Sequence, residues 1–589
     1  MTNEIEINDP GSDVASVLQA ALDLHKNGSP AAAVQLYTKA IDALPDNAQI
    51  HCLLGVALKQ SGQLRCAIAT LEKAVELDPL RADFLAELGI AYGDAGDVDK
   101  ALKCLREAVP RLTALGKEDF IILTALGDAC FTLGFWTEAI EHYRSALRKK
   151  VPDQVTHLNV QLNIGVALHH LERRACAIKS YETILSIDPL HVGALTNLGV
   201  AHQEDKNFEK SLVMLLKAAE LMPSDPLILT DLGVTLTKLN RTDEAIKNFT
   251  LALNEAPDCA KAWSNLGNAY QAQNKLAEAW EAHQRAVDLE PNNPELHWNL
   301  AMTLLLAGEY EQGWAEYEWR RKKQPPPLSP KSPEWEGGPL IGQSILLLGE
   351  QGAGDTIQFS RYASVLESEG ASIILQVQTS LQKLFSTLSP NITVLGPSDP
   401  LPKCDFQTQL MSIPYKRKER FENLPAPISY LSVPSEPEVR LPNKKSGIRR
   451  IGIAWYGNPN HDNDLNRSCP FDELAPLFEL EKIEWVSLQK EPMPQKAMGM
   501  IDPSSQCHSF ADIAAIISQL ELVVSVDTAI AHLAGALGSP VWIMLPYSPD
   551  WRWLTRRRDT PWYPSARLYR QLSPGNWNSV ITSIKSDLS

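Results

Sequence analysis

The sequence predicts a multidomain chain: an all-α repeat solenoid followed by an α/β domain built from two Rossmann-like halves. Three observations predict it. Small residues recur in one register through the first half, a proline-rich segment interrupts that register, and short apolar runs alternate with helical stretches beyond it. The 589 residues exceed the roughly 250–300 that one core serves, so more than one domain is required.

The repeat comes first, because internal periodicity governs everything built on it. Gly55, Gly89, Gly127, Gly165, Gly199, Gly233 and Gly267 share one position, with Ala21 and Ala301 at the ends. The step is 34 residues (Gly55 to Gly89), with two steps of 38 on either side of Gly127. Twelve residues after each lies another small residue: Ala33, Ala67, Ala101, Ala139, Ala177, Ser211, Ala245, Ala279 and Gly313. Prolines recur at Pro45, Pro79, Pro189, Pro223, Pro257 and Pro291. Two antiparallel helices that approach closely need small residues where their backbones meet, and proline ends the second helix. One hairpin cannot bury its own face, so hairpins must stack. These positions resemble the tetratricopeptide repeat, with nine repeats over 11–324. The longer steps suggest insertions near Thr113–Gly116 and Val151–Asp153. Asn163, Asn197, Asn265 and Asn299 recur two residues before the small position and are candidates to face the groove and hold an extended peptide.

Residues 325–339 are rich in proline and read as a stiff connector. The last repeat carries Trp314, Tyr317 and Trp319, which suits a cap that docks on the next domain. An N-half over 340–445 follows, with apolar runs SILLLGE, SIILQV and NITVLG and a helix from Asp355 to Glu369. The C-half, 446–589, holds RRIGIAWYGN, IEWVSLQK, ELVVSV and SPVWIML. Strands alternating with helices predict parallel sheets, whose ligands bind beyond the carboxyl ends of the strands.

Three strand ends there carry chemistry. Gly349–Gln358 follows a strand and opens a helix; Gly352 and Gly354 let a backbone approach a ligand, and Asp355 is a carboxylate at that turn. Asp527, Thr528 and His532 stand where another strand feeds a small-residue helix whose free N–H groups suit phosphate oxygens, although helix capping alone also explains the first two. Asn458 and the polar loop His461–Ser468, which contains Arg467, follow a third strand; a solvated loop would look the same. Trp551, Trp553 and Trp562 suit either stacking on a ligand or the core.

The segments GEQGAGDTIQFSRYA, GIAWYGNP, NDLNRS, WVSLQK and VVSVDTAIAHLAGALGSPVWIMLP look like the family 9 (heptosyltransferase-like) glycosyltransferase domain, of GT-B plan. The fusion to repeats is similar to the architecture of protein O-GlcNAc transferases. The resemblance implies a transferase that moves a sugar from a nucleotide-sugar to a hydroxyl of a protein, peptide or glycan, with no metal or other cofactor. It implies Asp355 as catalytic base. It places Gly352, Gly354, Asn458, Arg467, Ser487, Gln489, Asp527, Thr528 and His532 around the donor. Ala529 stands where the family has glycine, Arg467 where it often has lysine, and the N-half is short. A non-catalytic repeat adaptor with a degenerate transferase fold is the alternative. An NAD-type enzyme is disfavoured by GxGD in place of GxGxxG.

Composition narrows the partners. A net charge of −16 argues against a nucleic-acid ligand. Nine scattered cysteines without a Cys-x-x-Cys pair predict neither disulfides nor zinc, and so a reducing compartment. The acidic first residues do not read as a secretory signal, and no apolar run reaches the roughly 18 residues of a membrane span. A cytoplasmic, bacterial enzyme is the expectation.

Overall fold

A computed structural model describes residues 12–323, 332–435, 439–459, 463–490 and 499–589. It divides into two compact units, Met1–Pro223 and Ser224–Ser589. The first unit contains six helical hairpins, from Ser12–Lys26 to Phe208–Leu221. The second opens with three more, from Pro226–Lys238 to Tyr310–Tyr317, and continues into two parallel sheets. The nine hairpins agree with the repeat register.

Each glycine of the register marks a close approach. A Cβ on Gly165 would lie 2.5 Å from the Tyr181 ring, which is wholly buried. In the second unit Gly267 meets the buried His283 ring in the same way, at 2.6 Å. The longer steps come from helices rather than loops: Val98–Ala114 and Gln154–His170 each have 17 residues, against 13 in Ala82–Asp94 and 14 in Arg174–Ile187. Asn163 donates to the Tyr143 hydroxyl (3.4 Å), Asn197 to its own helix at the Gly193 carbonyl (2.8 Å), and Asn299 to Ser264 Oγ (2.9 Å). Each of these three amides donates one bond to a neighbouring helical group.

The N-half sheet has β1 (Ser344–Leu348), β2 (Ser372–Gln376), β3 (Thr393–Leu395) and β4 (Phe406–Gln409), in the order β3-β2-β1-β4. The C-half sheet has β5 (Arg449–Ala454), β6 (Ile483–Ser487), β7 (Leu522–Val526), β8 (Val541–Leu545) and β9 (Ala566–Arg570), in the order β6-β5-β7-β8-β9. All neighbouring strands run parallel. Sequence reading missed β4, because its buried Gln407, Thr408 and Gln409 look like a loop. They fit by bonding: Gln407 to the Ser332 carbonyl, Thr408 to Glu334 and Gln409 to Arg320.

Two further expectations change. The helix expected from Asp355 to Glu369 is two helices, Ala353–Phe359 and Arg361–Ser368. The Ile357 carbonyl accepts Ser360 Oγ and the Tyr430 hydroxyl, and the Gln358 carbonyl accepts Arg361 Nε, so side chains end the first helix. Of the connector, 324–331 lie outside the described residues. The remainder pairs beside β4: Trp335 is buried, its N–H donates to the Gln407 carbonyl, and Gln407 N–H returns a bond to the Pro333 carbonyl.

The last hairpin docks as its aromatics suggested. Trp314 meets Phe359 and Trp551 edge-on, at 6.0 and 5.2 Å between ring centres. Trp551, Trp553 and Trp562 are all buried, the last two completely. Next to this core Arg320, 5% exposed, donates to Glu318, Glu350 and Ser412 and lies over the Tyr317 ring. Glu350 and Gln351 belong to the glycine loop after β1, and Gln351 exchanges hydrogen bonds with the Tyr317 hydroxyl. The repeat end therefore fixes the loop that carries Asp355. All nine cysteines are free thiols. Among the described residues no helix is long and apolar enough to cross a membrane.

Candidate functional site

A cavity of about 710 Å³ lies beyond the carboxyl ends of β1, β5, β6 and β7, within the range that small-molecule sites occupy. All ten residues singled out from the sequence line it: Gly352, Gly354, Asp355, Asn458, Arg467, Ser487, Gln489, Asp527, Thr528 and His532. Of the polar loop after β5, His461 and Asp462 lie outside the described residues.

The two halves meet at Gly354. A Cβ there would fall 3.1 Å from His532 Cδ2 and 3.5 Å from Ala529 Cα, so only a glycine lets the loop come this near the helix Ala529–Ala536. Asp355 is held at both ends of its carboxylate. Oδ2 accepts the Gly352 N–H at 2.9 Å, which caps the helix Ala353–Phe359, and Oδ1 is ion-paired with Arg552. Arg552 is 8% exposed and also donates to Asp550 (2.9 Å) and to Gln358 Oε1 (2.6 Å). Asp550 and Asp355 raise its pKa against the cost of burial, so it stays charged.

Asp527 is the carboxylate of this floor with the poorest compensation. Burial, then the like charge of Asp550, push its pKa up to about 6, while Arg552 and Arg467 pull it the other way. His532 is buried, with Nδ1 2.9 Å from the Tyr563 hydroxyl and its ring stacked on Trp553. Burial and then the positive charges of Arg552 and Arg361 hold its pKa well below the ordinary value, so it is a neutral imidazole. Thr528 is the N-cap of the helix Ala529–Ala536, its Oγ1 accepting from Ile530 N–H at 3.3 Å. The amides of that first turn point toward the cavity end of β7, where anionic groups are favoured.

Arg467 lies flat across Gly457, where a Cβ would come within 2.6 Å of its guanidinium, and its Nε bonds Asp464 at 3.2 Å. Gln489 spends its amide on the main chain: Oε1 accepts the Trp455 and Tyr456 N–H groups and Nε2 donates to the Tyr456 carbonyl. It shapes the β5 loop. Ser487 Oγ accepts the Gln489 N–H at 3.3 Å, so the end of β6 is fixed with it.

Sequence reading missed Asp550 and Arg552. They follow β8, and the rule that ligands collect beyond strand ends would have led to them. Their tryptophan neighbours drew attention to stacking instead.

Comparison with known proteins follows from this geometry. Tetratricopeptide repeat models match residues 24–76, 57–116, 86–155, 228–259 and 260–293. A model described as glycosyltransferase family 9 (heptosyltransferase) matches residues 508–554, which contain Asp527, Thr528, His532, Asp550 and Arg552. Protein FlbA of Caulobacter vibrioides is 24% identical over 501 residues, covering 77% of this chain and 82% of that one. Protein O-mannosyl-transferase TMTC1 of Homo sapiens is 27% identical over 184 residues, 31% of this chain and 20% of its own length. Among solved structures, YrrB, titled a TPR protein with an unusual peptide-binding site, matches with TM-score 0.29 and 25% identity, covering 33% of this chain and 95% of its own.

Proposed function

The chain joins tetratricopeptide repeats to a glycosyltransferase-type domain, and we propose that it transfers a glycosyl group from a nucleotide-sugar to a hydroxyl acceptor. One observation carries the reading. A single cavity at the strand ends combines a helix N-terminus, Arg467 and a floor of carboxylates around Arg552. The diphosphate sits against the first turn of the helix Ala529–Ala536 with Arg467 beside it, and both offset the charge that grows on the leaving group. The acceptor oxygen attacks the anomeric carbon as the bond to the diphosphate oxygen breaks. The bonding electrons leave with the nucleoside diphosphate, and the acceptor proton passes to a carboxylate. In this reading the helix N-terminus and Arg467 are the groups that offset the diphosphate charge, and no divalent ion takes part.

Asp355 is the base we assign, ion-paired with Arg552. A specific observation favours a second assignment. Both Asp355 oxygens are engaged, whereas Asp527 has a pKa of about 6, close to the pH at which a general base works best. Asp355→Asn and Asp527→Asn, each assayed for transfer and for nucleoside-diphosphate binding, decide between them. The base is the residue whose loss removes transfer while binding persists. The name of TMTC1 supports a protein acceptor. A chain that neither binds nor hydrolyses any nucleotide-sugar would be a repeat adaptor instead.

A further inference from the structure

A second cavity, of about 600 Å³, opens beside the first and shares Arg467, Asp527 and Asp550 with it. One wall comes from the three hairpins of the second unit: Asn240, Asn268, Gln271 and Trp298 lie along it. The other is the loop after β8 together with Gln571. The walls are fastened to each other. Asn274 donates to the Tyr547 carbonyl at 2.7 Å, and Ser548 Oγ to the Gln271 carbonyl at 3.1 Å, which fixes the width.

One group in it lacks a partner. Gln571 is 5% exposed, and its Oε1 accepts the Tyr547 and Gly575 N–H groups. Its Nε2 has no acceptor among the described residues. A buried donor left unpaired costs about 1–3 kcal/mol, and Gln571 is one of the residues that line this cavity.

The geometry points to this cavity as the acceptor site, with an extended, uncharged or cationic peptide bearing a serine or threonine as its occupant. This rests on the glycosyl-transfer reading above. A donor in the first cavity and an acceptor in the second meet at the three shared residues, which include Asp527, the second candidate base, and not Asp355. Asn240, Asn268, Gln271 and Gln571 are primary amides, which both donate and accept and so match the alternating groups of a peptide backbone. Asn240 lies on one hairpin, Asn268 and Gln271 on the next and Gln571 just beyond β9, a span that suits an extended chain better than one sugar ring. Among the described residues the lining carries two carboxylates and one cation, Arg467, already bonded to Asp464, which disfavours an anionic acceptor.

The test uses the full chain with a panel of UDP-, GDP-, ADP- and dTDP-sugars, a library of short serine- and threonine-containing peptides, and a set of neutral oligosaccharides. Gln571→Glu keeps the accepting oxygen and removes the unpaired donor. Asn268→Trp, at an exposed position, fills the cavity without touching the core. We expect transfer to peptides, an acceptor KM raised about tenfold by Gln571→Glu, the factor for one ordinary hydrogen bond, and transfer lost in Asn268→Trp. The thermal shift given by the nucleoside diphosphate should remain in both. Transfer to oligosaccharides but not peptides would overturn the assigned occupant. Peptide transfer unchanged in both variants would overturn the cavity. If no donor in the panel binds or is hydrolysed by the wild type, the transferase reading itself falls, and this inference with it.

Discussion

Replacing Asp527 with asparagine should make the protein more stable at neutral pH while impairing its chemistry. The carboxyl of Asp527 has its pKa raised from 3.8 to about 6, chiefly by burial and then by Asp550. A raised carboxyl pKa means that the folded state holds the proton more tightly than the unfolded chain. The stabilisation from that proton is complete below pH 3.8 and is lost as pH climbs to about 6. Above pH 7 the fold carries the full cost of the buried charge. A shift of about two units at about 1.4 kcal/mol each gives about 3 kcal/mol, net of the attraction from Arg552 and Arg467. Asparagine has similar shape and no charge, so Asp527→Asn removes that cost. His532, whose pKa the fold holds well below the ordinary value, adds its own slope to both proteins as the unfolded chain takes up that proton, so it cancels in the difference between them. For a domain this large, 3 kcal/mol corresponds to a rise in Tm of about 5 °C. Thermal unfolding of wild type and Asp527→Asn at pH 4, 5, 6, 7 and 8 measures it. The Tm difference should be near zero at pH 4, grow through pH 6 and level off above pH 7. A difference that does not vary with pH, or a variant less stable than wild type at pH 8, would refute the reasoning.

Other perturbations follow from the same geometry. Asp355→Asn should reduce transfer at least a hundredfold while the nucleoside diphosphate still raises Tm, as loss of a general base does; transfer near wild-type rate would remove Asp355 from the chemistry. Gly165→Ala places a methyl 2.5 Å from the Tyr181 ring and should destabilise the repeats by about 1–3 kcal/mol, read by thermal unfolding. Arg320→Met leaves the largely buried Glu350 without its cation, while Glu318 keeps Arg321 at 3.5 Å, and should cost about 3 kcal/mol. Because Glu350 lies in the glycine loop, the same variant should also weaken donor binding in a titration.

The repeat was legible because each glycine answers a local demand, a ring or branched side chain pressed against its Cα, and that demand recurs in register. The strand ends were legible for a related reason. Glycines, caps and polar turns must stand where a parallel sheet delivers its ligands, so Gly354, Thr528 and Arg467 could be placed from spacing alone. What escaped depends on contacts between distant residues. The partner of Asp355 is Arg552, 197 residues away, and nothing in the spacing of either announces the pair. β4 escaped because its buried amides and threonine are satisfied by Ser332, Glu334 and Arg320 rather than by apolar neighbours.

The central claim is that this chain binds and activates a nucleotide-sugar at the carboxylate floor around Arg552. The most direct measurement is a thermal-shift and donor-hydrolysis panel of UDP-, GDP-, ADP- and dTDP-sugars on wild type and Asp355→Ala. The account predicts that one nucleotide series stabilises both proteins and that only the wild type slowly hydrolyses its sugar. No response to any series, or equal hydrolysis by both proteins, would contradict it.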